Sequence, residues 1–321
     1  MRRYVIRRLI QAVAMLFVMS IVFFLLIHAI PGGPDRVLFN PKLPPSVRIQ
    51  LRIQYGLDQP LYIQYWNWIS HVLQGNFGDS FVDHQPVMSD IGARAPATIE
   101  LFVVGLLFAL VVAILLGVFS AVRQYSLTDY VVTVLTYFGI AMPVFFFGLV
   151  LQEIFAVQLG WFPDLGRASV DQTGFTALEV FEDYALHLVL PVFMFSLLFI
   201  AGWSRYLRSS MLDVVKQDYI RTARAKGLSS RIVFFRHALR NALIPLVTQV
   251  AIDFGGIAAG AVITETIFAW PGMGQLFLSS LTNRDYPVIL AMLTFITASV
   301  IIANLIADVL YGVIDPRIRF S

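Results

Sequence analysis

The sequence predicts an all-α integral membrane protein with six transmembrane helices and both termini in the cytoplasm. Of its 321 residues, 58% are hydrophobic and only 13% are charged, whereas a soluble globular protein carries about 25% charged residues. Several apolar runs also reach the roughly 20 residues that a helix needs to cross about 30 Å of hydrocarbon. This composition excludes a soluble globular fold.

The first apolar run follows the basic start MRRYVIRRL. It is longer than the core of a secretory signal, which has about 7–15 residues, and no small-residue cleavage pattern follows it, so we expect a retained span. The predicted spans are residues 9–30, 97–122, 130–158, 187–204, 245–269 and 288–312. They divide the chain into an N-terminus with the first span (1–30), an extracytoplasmic segment (31–96), a five-helix core (97–312) and a cytoplasmic tail (313–321).

The distribution of basic residues predicts the orientation. With the N-terminus in the cytoplasm, sixteen of the 23 lysines and arginines fall in cytoplasmic segments, nine of them between residues 205 and 240. Five of the others lie in the long segment 31–96, where the positive-inside rule loses force because long segments are translocated largely regardless of charge. The short loops therefore predict an N-in, C-in topology.

The basic cytoplasmic loop 205–244 has the pattern of two short helices. VVKQDYIRTARAK has helical character, and Gly227 can end that helix because glycine adopts a positive φ at no steric cost. Ser229 or Ser230 can cap a second helix through FFRHALRNAL. We expect this second helix to stop before Pro245.

The second helix has an apolar and a basic face. The apolar face holds Val233, Ala238 and Leu239, and the basic face holds Arg236, Arg240 and Asn241. Such a helix pair could lie in the headgroup layer, bind DNA phosphates or dock a cytoplasmic protein. We expect no nucleic-acid partner, because a loop tethered at both ends near the bilayer would hold a recognition helix against lipid.

Several separated motifs occur along the chain in a fixed order. The loop contains DYIRTARAKG followed by RHALRNALIP. Other motifs are RYVIRRL, LLIHAIPGGP, YGLDQPLYIQYWNW, GNFGDSF, PATIEL, ETIFAWPGMG and RDYP. Together they resemble the B-type permease subunit of the dipeptide/oligopeptide/nickel ABC importer family over nearly the whole chain. The resemblance implies a multi-pass protein of the prokaryotic cytoplasmic (inner) membrane.

The resemblance also implies partners. These are a second, homologous permease subunit, two cytoplasmic ATPase subunits, an extracytoplasmic solute-binding protein and the lipid bilayer. In such importers the short helix before Gly227 sits in a cleft of the ATPase. The docking residues implied here are Tyr219, Arg221, Thr222, Ala223, Arg224, Ala225, Lys226, Gly227 and Leu228.

The loop departs from the general permease pattern at two positions. Arg221 and Thr222 stand where the usual Glu-Ala-Ala triplet has its glutamate and first alanine, so the ATPase residues that they meet are open. We expect Ala223 and Ala225 to allow close backbone approach. We expect the basic residues Arg221, Arg224 and Lys226 to fix the register by charge.

Asp253 is the acid closest to mid-membrane. It lies eight residues beyond Pro245, which places it about 12 Å into a hydrocarbon layer with a half-thickness of about 15 Å. Intramembrane acids are functional candidates, and Asp253 could line the pathway, pair with the second permease or form a structural hydrogen bond. The nearby Gly255, Gly256 and Gly260 predict close helix packing, with a pore-lining kink as the alternative.

Four other acids lie near the ends of predicted spans. Glu100 falls in the first turns of the second span, where the helix dipole favours an anion. For all four we expect an interfacial, solvated or capping role. They are Glu100, Glu153, Glu265 and Asp308.

The chain has no ATP site of its own. A Walker A motif needs a glycine before its lysine, but Lys42, Lys216 and Lys226 follow other residues. We therefore expect no cofactor in this chain, and the resemblance implies ATP and Mg on the partner ATPases.

Enzyme function is not expected either. No zinc-protease H-E-x-x-H or nucleophile-elbow G-x-S-x-G sequence occurs, and we expect neither a catalytic nor a metal site. The Gly202-Trp203-Ser204 sequence lacks a histidine within reach, because His187 is 17 residues away on the same span.

The alternative within the transport class is a secondary transporter or channel that works alone. Internal repeats with interrupted helices would favour it, and we find no convincing repeat in the six spans. For the importer, peptides are the substrate class that the resemblance implies. Nickel and oligosaccharide importers share this architecture, and nothing in the spans distinguishes the three.

Overall fold

The computed structural model describes residues 2–30, 44–54, 56–254 and 257–314 of the chain. These residues are mostly helical and contain no β-strand, only an isolated bridge between Asp79 and Pro86. The prediction of an all-α membrane fold is confirmed. The chain forms two compact units, one of residues 1–97 and 271–302 and the other of residues 98–270 and 303–321.

The helices are numbered here in chain order. They are α1 (Arg2–Ala29), α2 (Pro45–Gln54), α3 (Leu61–Leu73), α4 (Val87–Val122), α5 (Leu127–Ala141), α6 (Val144–Leu151), α7 (Ala177–Val215), α8 (Asp218–Ala225), α9 (Ser230–Ile232), α10 (Arg240–Phe254), α11 (Ile257–Ile267), α12 (Met273–Asn283) and α13 (Tyr286–Ile314). Two π-helical segments, Gln152–Gln158 and Val233–Leu239, continue α6 and α9.

Four of the described helices are long and apolar enough to cross a membrane. Their spans are Ile6–Ala29, Val87–Val122, Ala177–Val215 and Tyr286–Ile306. A fifth crossing results if α5 and the following segment, Val144–Gln158, form one bent span. The predicted span 245–269 corresponds to α10 and α11, and residues 255 and 256 between them lie outside the described residues. The six-span topology therefore stays a prediction.

The predicted span 130–158 is not one continuous helix. The chain bends by 109° between Leu127–Ala141 and Val144–Gln158. Met142 at the break has extended backbone angles, with φ −77° and ψ 128°. The cause is Pro143, because a proline ring disfavours helical angles in the residue before it.

Two other spans are longer than predicted. Helix α4 begins at Val87 rather than at residue 97, and α7 extends well beyond 187–204 at both ends. The first turn of α7 is stabilised by a capping box, in which the side chains of Thr176 and Glu179 accept hydrogen bonds from each other's backbone N–H groups. Pro96 and Pro191 lie inside these helices, whereas the predicted second span begins just after Pro96.

In the first unit, two of the sequence motifs meet. The Ser80 hydroxyl of GNFGDSF donates a 2.5 Å hydrogen bond to Asp285 of RDYP, and the Phe81 backbone N–H donates to the same carboxylate at 3.0 Å. Nearby, Phe24 of α1 packs against Trp68 of α3 with ring centroids 5.9 Å apart. These contacts fix the outer loop to the beginning of α13.

In the second unit, α7 packs against α5, α6, α10 and α11. The core includes Trp203 and Leu207, both almost fully buried. Gly117 of α4 allows close packing here, because a Cβ at this position would lie 2.8 Å from the Ser204 carbonyl oxygen. Helix α7 is therefore the central element of this unit.

A buried ion pair joins α5 to α7. The Arg208 guanidinium donates two 2.8 Å hydrogen bonds to the two carboxylate oxygens of Asp129. The hydroxyl of Ser120 on α4 and the backbone N–H of Tyr125 also donate to this carboxylate. Only 5% of the Asp129 side chain is exposed, so the pair links three helices in a place where an unpaired charge would be costly.

We predict that Arg208→Met destabilises the protein by roughly 3–5 kcal/mol, because it leaves the Asp129 carboxylate buried and unpaired. The measurement is the thermal unfolding midpoint of the purified chain in detergent. Arg205→Met is the matched control, because Arg205 is exposed on the same helix and lies over the Tyr137 ring. Equal midpoints for the two variants would contradict the prediction.

Candidate docking loop and buried acids

The candidate docking loop begins with α8, a two-turn helix that ends at Ala225, with Gly227 just beyond its C-cap as predicted. Gly227 has a φ of +76°. Its N–H donates to the Arg224 carbonyl oxygen at 2.9 Å, and the Leu228 N–H donates to the Ala223 carbonyl oxygen at 3.4 Å. This pair of bonds is a Schellman motif, which places a glycine just past the end of a helix.

The second helix of the loop differs from the prediction at its end. Ser229 caps it as expected and accepts a hydrogen bond from the Ile232 N–H. The chain then continues through the π-helical segment and α10 as far as Phe254, with Pro245 inside the helix. Prolines are tolerated within membrane helices because neighbouring helices and local π-type adjustments satisfy the freed backbone groups.

Helix α8 is fixed to the body of the second unit by one apolar face. Ile220 is fully buried and Ala223 is 6% exposed. Both belong to one cluster with Met211 of α7 and with Val233 and Ala238 of the second helix. The Ala223 side chain points into this cluster because it lies one turn after Ile220 on the same face. The expected close approach of its backbone to an ATPase stays a prediction.

The other residues of the predicted docking set are exposed. They are Tyr219, Arg221, Thr222, Arg224, Ala225, Lys226, Gly227 and Leu228. Arg221 lies 3.4 Å from Asp218, but both side chains are largely in solvent, where such a pair contributes little. The result is a short basic ridge held on a packed base, which can dock into a cleft of another protein.

On the second helix the predicted division into two faces is confirmed. Val233 and Ala238 are buried, whereas Arg236, Arg240 and Asn241 are exposed. The Asn241 side chain donates a 2.6 Å hydrogen bond to the His237 carbonyl oxygen.

Asp253 forms two hydrogen bonds within the second unit. The indole N–H of Trp203 on α7 donates to it at 2.7 Å, and the Gln249 side-chain amide donates at 2.9 Å. Asp253 itself is half-buried. Sequence reasoning missed Trp203, because nothing in the sequence places it beside a residue 50 positions later.

The glycines next to Asp253 are described only in part. Gly255 and Gly256 lie outside the described residues, and Gly260 lies within α11. Their predicted role in close packing stays a prediction.

Glu265 differs from the expectation of a solvated or capping role. It is fully buried, and the hydroxyl of Thr98 on α4 donates a 2.6 Å hydrogen bond to it.

Glu100 is not in the first turns of its helix, because α4 starts thirteen residues earlier at Val87. It accepts hydrogen bonds from Arg167, with the shortest contact at 2.6 Å. Both acids therefore join distant segments of the chain.

Among the described residues, no three histidine, cysteine, aspartate or glutamate side chains lie close enough to bind one metal ion together.

The fold defines the class of protein as a helical membrane protein, and comparison with known families specifies it further. The family described as "Binding-protein-dependent transport system inner membrane component" matches residues 113–320, and its N-terminal counterpart matches residues 1–102. The chain belongs to this family. It is the permease subunit of an ABC importer, a multi-pass protein of the prokaryotic inner membrane that works in a complex with partner subunits.

Two curated relatives match over their full length. The "Oligopeptide transport system permease protein AppB" of Bacillus subtilis (strain 168) is 43% identical over 321 residues, with 100% of both chains covered. The "Glutathione transport system permease protein GsiC" of Escherichia coli (strain K12) is 38% identical with the same coverage. These relatives favour a subunit of a larger transporter over a transporter or channel that works alone. They also indicate that ATP is hydrolysed by separate subunits and not by this chain.

A solved structure has a similar fold. A chain of the MetNI methionine ABC transporter, crystallised in inward-facing conformations, superposes with a TM-score of 0.52 and 15% identity. The match covers 71% of this chain and 97% of that chain. At this identity the likeness supports the fold alone.

We predict that Asp253→Asn lowers the stability by about 1–3 kcal/mol, because one N–H of the new amide then faces the Trp203 or Gln249 donor. Combining it with Trp203→Phe removes that conflict, so the double variant should be more stable than the sum of the single changes implies. The measurement is a double-mutant cycle on thermal unfolding in detergent.

In the control cycle Trp66→Phe takes the place of Trp203→Phe, because Trp66 is 69% exposed. Strictly additive effects of Asp253→Asn and Trp203→Phe would show that the two side chains do not interact.

Proposed function

We propose that this permease imports peptides, using the exposed ridge of α8 to dock an ATPase. The observation that carries the proposal is the combination of a buried apolar face, Ile220 and Ala223, with an exposed basic face on the same short helix. A rigid helix of this kind can transmit the movement of a partner to α7 and α10, against which it packs.

The proposed complex contains four kinds of component. They are this permease, a second homologous permease, two cytoplasmic ATPases that bind ATP and Mg, and an extracytoplasmic solute-binding protein. The description of the family as binding-protein-dependent supports the last of these. The sequence supports a separate motor, because none of the lysines follows a glycine as a phosphate-binding loop requires.

The proposed mechanism is a change between two states biased by nucleotide. Closure of the ATPase dimer would move α8, and the cluster around Met211 and Val233 would carry this movement into α7 and α10. Packed helices switch between discrete arrangements rather than deforming continuously. Binding of ATP would thus favour one access state of the permease over the other.

Peptides are the proposed substrate class because of the two relatives. AppB is named for oligopeptide transport and GsiC for glutathione transport, and glutathione is itself a small peptide.

Asp253 is the proposed polar group of the translocation pathway or of the interface with the second permease. A carboxylate has about four acceptor positions, and the bonds from Trp203 and Gln249 use two of them. The remaining positions can accept from water, substrate or the second permease. Gly255, Gly256 and Gly260 are the proposed close-packing positions beside it.

The docking proposal is tested by copurification. The double variant Arg221→Glu with Lys226→Glu reverses two exposed charges of the ridge and leaves the buried face intact. We expect the tagged wild-type chain to bring down ATPases and a second permease from its native membrane, and the variant to lose the ATPases while keeping the second permease.

The matched control carries Arg236→Glu and Arg240→Glu, which make the same change of charge on the second helix. It should retain the ATPases. Retention of the ATPases by the Arg221→Glu, Lys226→Glu variant would contradict the assignment of the docking surface, and their absence from wild type would favour a headgroup-bound helix pair.

A further inference from the structure

A groove in the second unit lies beside the exposed basic ridge of α8. It has a volume of about 720 Å³ and runs between the end of α4, the side of α8 and the second helix of the loop. Its walls are largely apolar, with Val118 and Phe119 on one side and Phe235 on the other. Covering this apolar wall with an apolar occupant would be favourable, because it removes exposed apolar area from water.

Three arginines surround this groove. They are Arg123 at the end of α4, Arg224 on α8 and Arg231 on α9, and all three are exposed. The described residues that line the groove include no acidic residue. None of the three arginines forms an ion pair with another residue in the part of the chain that the structure describes. The site therefore has an unbalanced positive charge next to an apolar wall.

The apolar wall continues along α4. Val103, Leu107, Val111, Leu115 and Phe119 follow one another at intervals of four residues, and each is about half exposed. Neighbouring members of this series lie about one helical turn apart, so they form a continuous apolar face that winds gradually around α4. In a helix that crosses the bilayer such a face meets hydrocarbon, and Leu115 and Phe119 belong both to this face and to the groove that the three arginines line.

We propose that this groove binds an anionic phospholipid. The phosphate would lie among Arg123, Arg224 and Arg231, because guanidinium groups bind phosphate through paired N–H donors. The acyl chains would lie on the wall formed by Val118, Phe119 and Phe235. The proposal rests on the membrane location of the chain and does not require the proposed ATPase docking.

A lipid in this position would also affect α8. Arg224 belongs to the docking helix and lines the groove, so a bound phosphate would join α8 to the end of α4 through one charged group. The headgroup would brace the docking helix from the side, and its loss would leave α8 held by its apolar face alone.

The test uses the tagged full chain, purified together with its accompanying subunits. The complex is placed in nanodiscs that contain equal amounts of phosphatidylglycerol and phosphatidylethanolamine, and is then released from them. Retained lipids are counted by native mass spectrometry. We expect wild type to retain phosphatidylglycerol preferentially, and the Arg123→Gln, Arg231→Gln double variant to lose this preference by at least about tenfold, since one arginine near an anionic lipid changes binding by about fivefold.

Two further variants make the result specific. Arg236→Gln with Arg240→Gln removes the same charge from exposed positions outside the groove and should keep the preference. Val118→Trp narrows the groove without changing its charge and should lower the retention of phosphatidylglycerol. Soluble glycerol phosphate should not displace the lipid, because it lacks the acyl chains.

Three outcomes would overturn the proposal. One is equal retention of the two lipids by wild type, and another is equal loss in the groove variant and the Arg236, Arg240 control. The third is loss of the ATPases from the groove variant with unchanged lipid retention, which would assign the groove to the ATPase. The docking proposal is tested separately, by the copurification of ATPases with the Arg221→Glu, Lys226→Glu variant. If that proposal fails, the lipid result still stands.

Discussion

Burial of the apolar side of α8 is the interaction on which the proposed function depends. An isolated helix of eight residues is unstable in water, because its nucleation cost exceeds the gain from so few hydrogen bonds. Ile220 and Ala223 supply the missing stability by packing into the cluster that includes Met211 and Val233. The exposed basic residues of α8 are consequently held in a fixed position relative to α7 and α10. A flexible loop of the same charge could attract a partner but could not transmit its movement.

The second unit is also held together by acids that join helices. Asp129 of α5 binds Arg208 of α7, and Asp253 of α10 accepts a hydrogen bond from Trp203 of α7. Glu265 of α11 accepts one from Thr98 of α4. Each acid lies in or beside an apolar helix, where an unsatisfied polar group is costly. These bonds favour helices that move as one body, because separating a pair would expose both partners to an apolar environment.

The parts of the site that depend on local chemistry were predictable from the sequence. Gly227 ends α8 because a left-handed residue is needed there, and Ser229 caps the next helix because its side chain can accept from the first turn. The apolar and basic faces of the second helix follow from its period alone. The family could also be identified from separated motifs, such as GNFGDSF and RDYP, which meet in the structure through Ser80 and Asp285.

The parts that depend on tertiary contacts could not be predicted. The same rule for the residue before proline applies at Pro96, Pro143, Pro191 and Pro245, yet only Pro143 breaks its helix. At the other three positions the helix continues, and tertiary contacts are present beside Pro96, where Val87 and Ile91 are buried in the preceding turns. The burial of Glu265 likewise depends on Thr98, a residue 167 positions away, and no local pattern indicates that contact.

The most direct measurement of the central claim is the number of ATP molecules hydrolysed per peptide imported, in membranes that contain the complete transporter with Gly227→Val or Gly227→Asn. Valine at a φ of +76° strains the turn that ends α8, by about 1–2 kcal/mol, although an added Cβ would meet no atom within 4 Å. Asparagine tolerates this conformation much better. If the shape of the loop couples hydrolysis to transport, the valine variant will hydrolyse severalfold more ATP per peptide while the asparagine variant stays close to wild type. Unchanged uptake and an unchanged ratio in the valine variant, at a normal level in the membrane, would contradict the account.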